Sequence, residues 1–499
     1  MYADPIAERV LVSMNRDPEE QRSFHFFRNI TAPSFAGALV DDFWLQELPR
    51  LCHEDLAIWH AVVCLGSTSE YCTSGTGADP TKNYFALKQL NASIRSINAS
   101  ASRALWWRAL VVSAIYTSVC IFQKDYATAA FHFFHGYRLL QENSPEPEGT
   151  ESPVDKTPSP RVPVSIAAVR SLMSDVVARG QQFDTQDFSE TPPLLPADSS
   201  VTLWESYVAP PGILPTQTVD ITQHVRRATK ASESLFWALH FYSMRRNKSL
   251  RGLFVKRGPE HLADFVVDQE PYVRCYREIR KAVASFSENK EIRITRPKIM
   301  TKERTELKKT WLSLQLLHAS CKAFFLQDPD LPNSSRRQQD FASLYRDIVD
   351  LAEQIIKLAE KSDSIRSPNP TVSNPLFLVV RSAYEPAVRQ RAMKLLKQPR
   401  VESLWDSRIG ALFSEEIMQR EMCMTEEYDE RGEDRSIVID DFTSRGREVE
   451  VRNDSSIHPL ARICSFKWEK LEGDAVRLKL FTWREWLHSE PGKTVDIGW

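Results

Sequence analysis

The sequence predicts an all-α fold: long antiparallel helices in a large helical body, with a small antiparallel β element near the C-terminus. Three observations predict it. Apolar residues recur at spacings of three and four along most of the chain, the signature of one helix face. Glycine is scarce at 16 residues while proline reaches 29, a balance that suits helices joined by proline-bearing connections better than hairpins or phosphate loops. Strand-like alternation is confined to the stretch after residue 435.

Residues 1–142 read as consecutive helices, the N-terminal helical part of the fold. Phe43, Trp44 and Leu48 form a short apolar face. Glu54-Asp55 stands at a helix start, where the helix dipole favours negative charge, and Leu56, Trp59, Val63 and Gly66 follow on one side. Leu87, Leu90, Ile94 and Ile97 repeat the 3-4-3 pattern of an amphipathic helix. Leu105 to Phe122 is strongly apolar, yet its uncharged core is shorter than the roughly 20 residues that a membrane span requires, so no membrane partner is expected. A break at Gln123-Lys124-Asp125 precedes a returning helix over Ala127 to Leu140, with Ala130, Phe134, Tyr137 and Leu140 along one side. Antiparallel stacking follows from that order, though no fixed repeat period runs through the chain.

Residues 143–163 hold six prolines among Ser, Glu and Thr and read as a linker or loop. Residues 164–435 form the helical remainder. Its helices are expected over Val164–Ala178 and Ser232–Met244, separated by a proline-bearing connection from Thr191 to Pro215. Pro271 suits the first turn of the next, which carries Val273, Ile279, Val283 and Phe286. Further helices span Glu306–Phe325, Ala387–Leu396 and Leu404–Met424. Between them Phe341, Leu344, Ile348, Leu351, Ile355 and Leu358 give the cleanest amphipathic pattern. Residues 436–499 form a β-containing cap, with strands at Ser436–Asp440, Glu448–Arg452 and Val476–Thr482.

The formal charge of −2, from 64 basic and 66 acidic residues, lacks the basic excess of proteins that neutralise nucleic-acid phosphates. Eight cysteines at 52, 64, 72, 120, 275, 321, 423 and 464 show neither zinc-finger nor redox spacing. They fit a reducing intracellular compartment, and the early charges after Met1 argue against a signal peptide.

Chemical motifs are sparse. There is no glycine-rich phosphate loop and no Gly-x-Ser-x-Gly elbow. His132 and His135 are spaced to share a helical face, and His60 and Cys64 are one turn apart with Cys52 and His53 before them. In both places an apolar or aromatic setting favours packing over a metal. The adjacent acids Asp41-Asp42 and Glu415-Glu416 read as solvated faces. So do the basic runs Arg245-Arg246-Asn247-Lys248 and Lys302 to Lys309. Glu426 to Asp434 reads as a charged loop. No catalytic or metal residue is assigned, and the cofactor-binding residues are unknown.

The order of certain segments carries a resemblance. Ser23-Phe24-His25-Phe26-Phe27, Thr31-Ala32-Pro33 and Asp42-Phe43-Trp44 stand near the start. His60-Ala61-Val62-Val63-Cys64-Leu65-Gly66, Tyr84-Phe85-Ala86-Leu87-Lys88-Gln89-Leu90-Asn91 and Gly136-Tyr137-Arg138-Leu139-Leu140 follow. Late in the chain come Glu385-Pro386-Ala387-Val388-Arg389-Gln390-Arg391-Ala392 with Leu395-Leu396, then Pro399-Arg400 and Leu404-Trp405-Asp406-Ser407. In this order they resemble the fungal-specific transcription factor domain, the helical regulatory domain of fungal zinc binuclear cluster transcription factors. Ala383 departs from it where a cysteine is expected, and Val401-Glu402-Ser403 where Arg-Glu-Gly is usual.

The resemblance implies a nuclear, non-enzymatic regulator of metabolic or secondary-metabolite genes, acting through protein partners or as a homodimer. A small-molecule effector is compatible with it. The six-cysteine zinc cluster of the family is absent from this sequence, so no zinc cofactor is expected in this chain. DNA would be reached indirectly or through a missing N-terminal module. A helical interaction scaffold, or a co-regulator that does not bind DNA, is the alternative.

Overall fold

The computed structural model describes residues 16–36, 43–73, 80–99, 106–123, 125–143, 270–288, 301–325, 342–360, 372–383, 385–398, 401–402, 405–433, 435, 457–471 and 475–498, with scattered helical positions between 225 and 256. They are mostly helical, with a small antiparallel sheet near the C-terminus. They fall into two compact units, one reaching residue 143 and one from residue 225 onward. The linker expected at 143–163, the helix at 164–178, the connection at 191–215 and the strands at 436–440 and 448–452 lie outside the described residues, apart from Asn143 at a helix end.

The described part of the first unit opens on α1 (Pro18–Phe26). Asp17 caps it by accepting the Glu19 amide at 2.9 Å, and Pro18 occupies the first turn. The chain widens into a π turn at Phe27–Thr31, continues as α2 (Ala32–Ala36), and forms a second π turn at Phe43–Glu47 before α3 (Leu48–Glu54). Asp55 then starts α4 (Leu56–Thr73), accepting the Ala57 and Ile58 amides at 2.9 and 3.2 Å. Its carboxylate also pairs with Arg108. This acid is thus both cap and ion-pair partner.

α4 is the centre of the unit, buried almost continuously from Ala57 to Ser69. α5 (Pro80–Ala99) runs antiparallel to it. Ser67 Oγ donates to the Lys82 carbonyl at 2.9 Å, and Ser93 Oγ to the Ala57 carbonyl at 2.6 Å. α6 (Trp106–Phe122) runs parallel to α4, since Arg108 reaches Asp55 and Cys72 donates to the Phe122 carbonyl. α7 (Tyr126–Asn143) returns along α6 after the break that the sequence predicts. Among the described residues no helix is long and apolar enough to cross a membrane.

Two expected faces are corrected. Leu56, placed on the inner side of its helix by spacing, is exposed at the helix start. On α5 the buried residues are Phe85, Ala86, Gln89 and Ser93, while Leu87 and Ile94 are 47% and 39% exposed. Hydrogen bonds from Gln89 and Ser93 to α1 and α4 decide which way the helix turns.

In the second unit, Ala228, Ala231, Leu235, Leu239 and Tyr242 are buried helical positions, most of them in the helix expected at Ser232–Met244. α8 (Glu270–Glu288) buries Tyr272, Cys275, Tyr276, Ile279, Ala282 and Phe286. α9 (Thr301–Lys322) begins five residues before the expected Glu306. α10 (Ala342–Glu360), α11 (Ser373–Ser382) and α12 (Pro386–Leu396) share one core through Ile348, Ile355, Leu376, Val380, Ala392 and Leu396.

The helix expected from Leu404 starts instead at Ser407. β1 (Val401–Glu402) pairs with β2 (Trp405–Asp406) in a tight antiparallel ladder, which takes Trp405 and Asp406 out of the helix. α13 (Ser407–Glu430) then runs past Met424, so Glu426–Glu430 is helix where a loop is expected. Tyr428 explains the extension: it is fully buried and hydrogen-bonds Thr482 at 3.0 Å, which holds the last turn.

The sheet is a meander of β3 (Ile463–Lys470), β4 (Ala475–Thr482) and β5 (Lys493–Gly498), all antiparallel. Phe466 faces Leu480 and Trp468 faces Leu478 across β3 and β4. Only β4 coincides with an expected strand. Between β4 and β5, α14 (Trp483–His488) is opened by a reciprocal capping box of Thr482 and Glu485. A Cβ on Gly492 would lie 2.2 Å from the Leu480 carbonyl oxygen, so glycine permits the approach of β5 to β4.

Candidate functional site

In the first unit, polar side chains from three helices meet where α1 and α5 lie on α4. Glu20 of α1 is the organiser. One carboxylate oxygen accepts from Trp59 Nε1 at 2.9 Å and the other from Gln89 Nε2 at 2.9 Å. Gln89 Oε1 in turn lies 2.6 Å from His60 Nδ1. The amide of Gln89 has its nitrogen committed to the carboxylate, so its oxygen can only accept, and His60 Nδ1 must donate. The neutral imidazole therefore presents Nε2 as an acceptor. Arg16 stacks over the Trp59 ring at 3.5 Å and donates to the Cys52 carbonyl at 3.2 Å.

Close approach of the helices makes this cluster possible. A Cβ on Gly66 would sit 2.3 Å from the Ser23 carbonyl oxygen, so only glycine lets α1 rest on α4. Phe24 packs on Trp59 at 4.7 Å between ring centroids, and Phe35 stacks on Trp44 at 4.6 Å. Of these rings, Phe24 and Trp44 come from segments that carry the resemblance, while Phe35 and Trp59 stand just outside them.

The chemistry open to this cluster is binding. Cys64, one turn beyond His60, is buried and its thiol is pushed up to about 12 by burial, so it stays protonated at neutral pH. Cys52 is fully buried, with its thiol raised further by burial. His53 is exposed beside Phe24, its pKa lowered by desolvation and then by Arg16. No three of Cys52, His53, His60 and Cys64 come together as potential metal ligands.

His132 packs on Tyr116 at 5.3 Å, with its pKa lowered by burial and then by His135, while His135 lies on the exposed Phe131 at 4.3 Å. No group of three or more potential metal ligands occurs among the described residues. Glu415 and Glu416 each take a lysine, Lys397 and Lys493 respectively. Asp41-Asp42 and Arg245–Lys248 lie outside the described residues. Lys309, expected on a solvated face, is buried.

The second unit holds a cluster that spacing did not reveal. Glu421 of α13 has no exposed surface and Arg389 of α12 almost none; they pair at 2.5 Å. The other Glu421 oxygen accepts the Ile463 amide at 3.0 Å, and Arg389 Nε donates to the Val380 carbonyl at 2.7 Å. Arg462 lies 3.7 Å from Glu421 and donates to the carbonyls of Ala383 and Arg381. One carboxylate therefore joins α13, α12 and the start of β3. The only signal in the sequence is an arginine inside an apolar helix face, at Val388-Arg389 with Ala392, Leu395 and Leu396.

No family model, no curated protein and no solved structure matches this chain.

Proposed function

We propose that this chain is a regulatory domain of the kind found in fungal zinc-cluster transcription factors, working in the nucleus through protein contacts on metabolic or secondary-metabolite genes. One observation carries the reading. Several residues behind the resemblance, far apart in sequence, lie in the cores of the units, while Tyr84, Leu87 and Asn91 from the same segments are exposed. In the first unit Phe24, Phe27, Trp44 and Gly66 build the seat of α1 on α4. In the second, Pro386 opens α12, Arg389 pairs with Glu421, and Ala392, Leu395 and Leu396 enter the core.

The test is to fuse the full chain to a heterologous DNA-binding domain and measure a reporter that carries its site. A change in transcription of several-fold over the DNA-binding domain alone is expected, together with nuclear accumulation of a fluorescently tagged chain. A silent reporter and a tag excluded from the nucleus would reject the proposal. A second reading, an interaction scaffold with no transcriptional role, is favoured by the exposed apolar side chains on α5. It predicts that silent reporter.

A further inference from the structure

The outer face of α5 leaves large apolar side chains in water. Tyr84, Leu87 and Ile94 are 75%, 47% and 39% exposed. The same face is uniformly basic. Residues 80–99 contain Lys82, Lys88 and Arg95 and no Asp or Glu. Lys82 is neutralised by Glu70 at 2.7 Å. Lys88 and Arg95 are exposed and make no ion pair among the described residues.

These residues are arranged in rows with a period of seven. Leu87 and Ile94 form one row, Tyr84 and Asn91 the next, Lys88 and Arg95 the outermost. With a rise of 1.5 Å per residue, the members of each row stand about 10 Å apart along the helix. Leu90 and Ile97 continue the apolar side toward the half-buried flank. A helix lying along α5 would meet an apolar seam at heptad spacing with a cationic edge beside it.

We infer that α5 is a docking face for an acidic amphipathic helix of a partner protein, its apolar residues seated on Tyr84, Leu87 and Ile94 and its carboxylates beside Lys88 and Arg95. Charge complementarity selects this occupant. A second copy of α5 would bring Lys88 and Arg95 against the same cations. A lipid surface would require a broader apolar face than three side chains with Asn91 between them. A phosphate backbone would leave Leu87 and Ile94 unused and would find only two free cations. The inference stands whichever reading of the whole chain is right, because it rests on α5 alone.

The experiment uses the full chain and fluorescence anisotropy at low salt. The probe is a labelled helical peptide of about 21 residues with Leu at the first and fourth heptad positions and Glu on the flanks. A counterpart carries Lys on the flanks. Phosphatidylserine vesicles and duplex DNA are the competing ligands. The Glu peptide is expected to bind at least about tenfold more tightly than the Lys peptide, and K88E with R95E to reverse that preference. Leu87→Ser with Ile94→Ser is expected to weaken the Glu peptide about tenfold, while thermal melting stays at the wild-type temperature. Equal binding of both peptides, no binding of either at about 100 μM, indifference to the charge reversal, or tighter binding to vesicles or DNA would each overturn the inference.

Discussion

Glu20 and Glu421 each tie three elements together, yet they differ in burial: the Glu421 side chain has no exposed surface, while that of Glu20 keeps 15%. Glu421 lies in the interior with Arg389, and every oxygen has a partner. Glu20 lies at the edge of its unit, where Trp59 and Gln89 reach it and water reaches His60. A buried carboxylate is committed: its charge is tolerated only while the arginine and the amide stay in place. An edge carboxylate can orient other groups at small cost and leave one of them accessible. The first arrangement locks a fold, and the second is suited to a contact surface.

The largest effect that tests this contrast is Glu421→Ala. It strands Arg389 in the core, and a loss of about 3–5 kcal/mol is expected, read from denaturant unfolding of the full chain. Glu20→Ala should cost less, about 1–3 kcal/mol, since it leaves the buried Trp59 and Gln89 donors without their acceptor but strands no charge. Equal losses at the two sites would break the comparison. Replacing the buried pair together, Arg389→Met with Glu421→Leu, should recover part of the loss, less what the orphaned Ile463 amide, the Val380 carbonyl and the Arg462 charge, left without Glu421, retain.

Gly66→Ala tests the platform beneath Glu20. The new methyl would collide with the Ser23 carbonyl, so α1 must lift from α4. A cost of about 1–3 kcal/mol is expected. Loss of the protection that α1 gives Trp59 should follow, visible as a red-shifted tryptophan emission. An unchanged melting curve and spectrum would show that α1 is not seated as described.

Acid should act on the second unit through His240. Burial, and then the charge of Arg381, hold its pKa down to about 3, against about 6.5 in an unfolded chain. The unfolded state therefore binds the extra proton between those values, so the stabilisation is complete above about pH 6.5 and declines as pH falls toward 3. The slope contributed by this one group is at most about 1.4 kcal/mol per pH unit. Between pH 6.5 and 5 that is a loss of up to about 2 kcal/mol. His240→Phe should flatten the decline, measured as urea midpoints across that range. The same decline in the variant would assign it to other groups.

Much of this architecture was legible in the sequence, and the exceptions have a common cause. Helix spacing locates α6, α7, α10 and α12 because each buries a continuous apolar side. It misplaces the inner face of α5 because Gln89 and Ser93 are held inward by Glu20 and the Ala57 carbonyl, partners 69 and 36 residues away. β3 alternates at Cys464-Ser465-Phe466-Lys467-Trp468-Glu469 without a β-branched residue, so its strand signal is weaker than that of the β-branched runs before it. Glu421 was illegible for another reason. A single acid in a helix rich in acids looks solvated until the arginine that pairs with it, 32 residues earlier, is folded against it.

The smallest predicted effect is the most specific. Gln89 holds His60 in the Nδ1–H form by accepting that proton, and Glu20 holds Gln89 in the orientation that allows it. Gln89→Leu removes the acceptor while filling a similar space, and a stability loss of about 0.5–1.5 kcal/mol is expected. The tautomer should change more clearly than the stability. Nitrogen-15 shifts of selectively labelled histidine, recorded where the ring is neutral, should show Nδ1 protonated in the wild type and a growing Nε2–H fraction in the variant. Glu20→Gln should give an intermediate result, since a Gln89 amide freed from the carboxylate can flip. If all three proteins show the same tautomer, His60 takes its orientation from packing on α4, and the edge cluster organises nothing beyond itself.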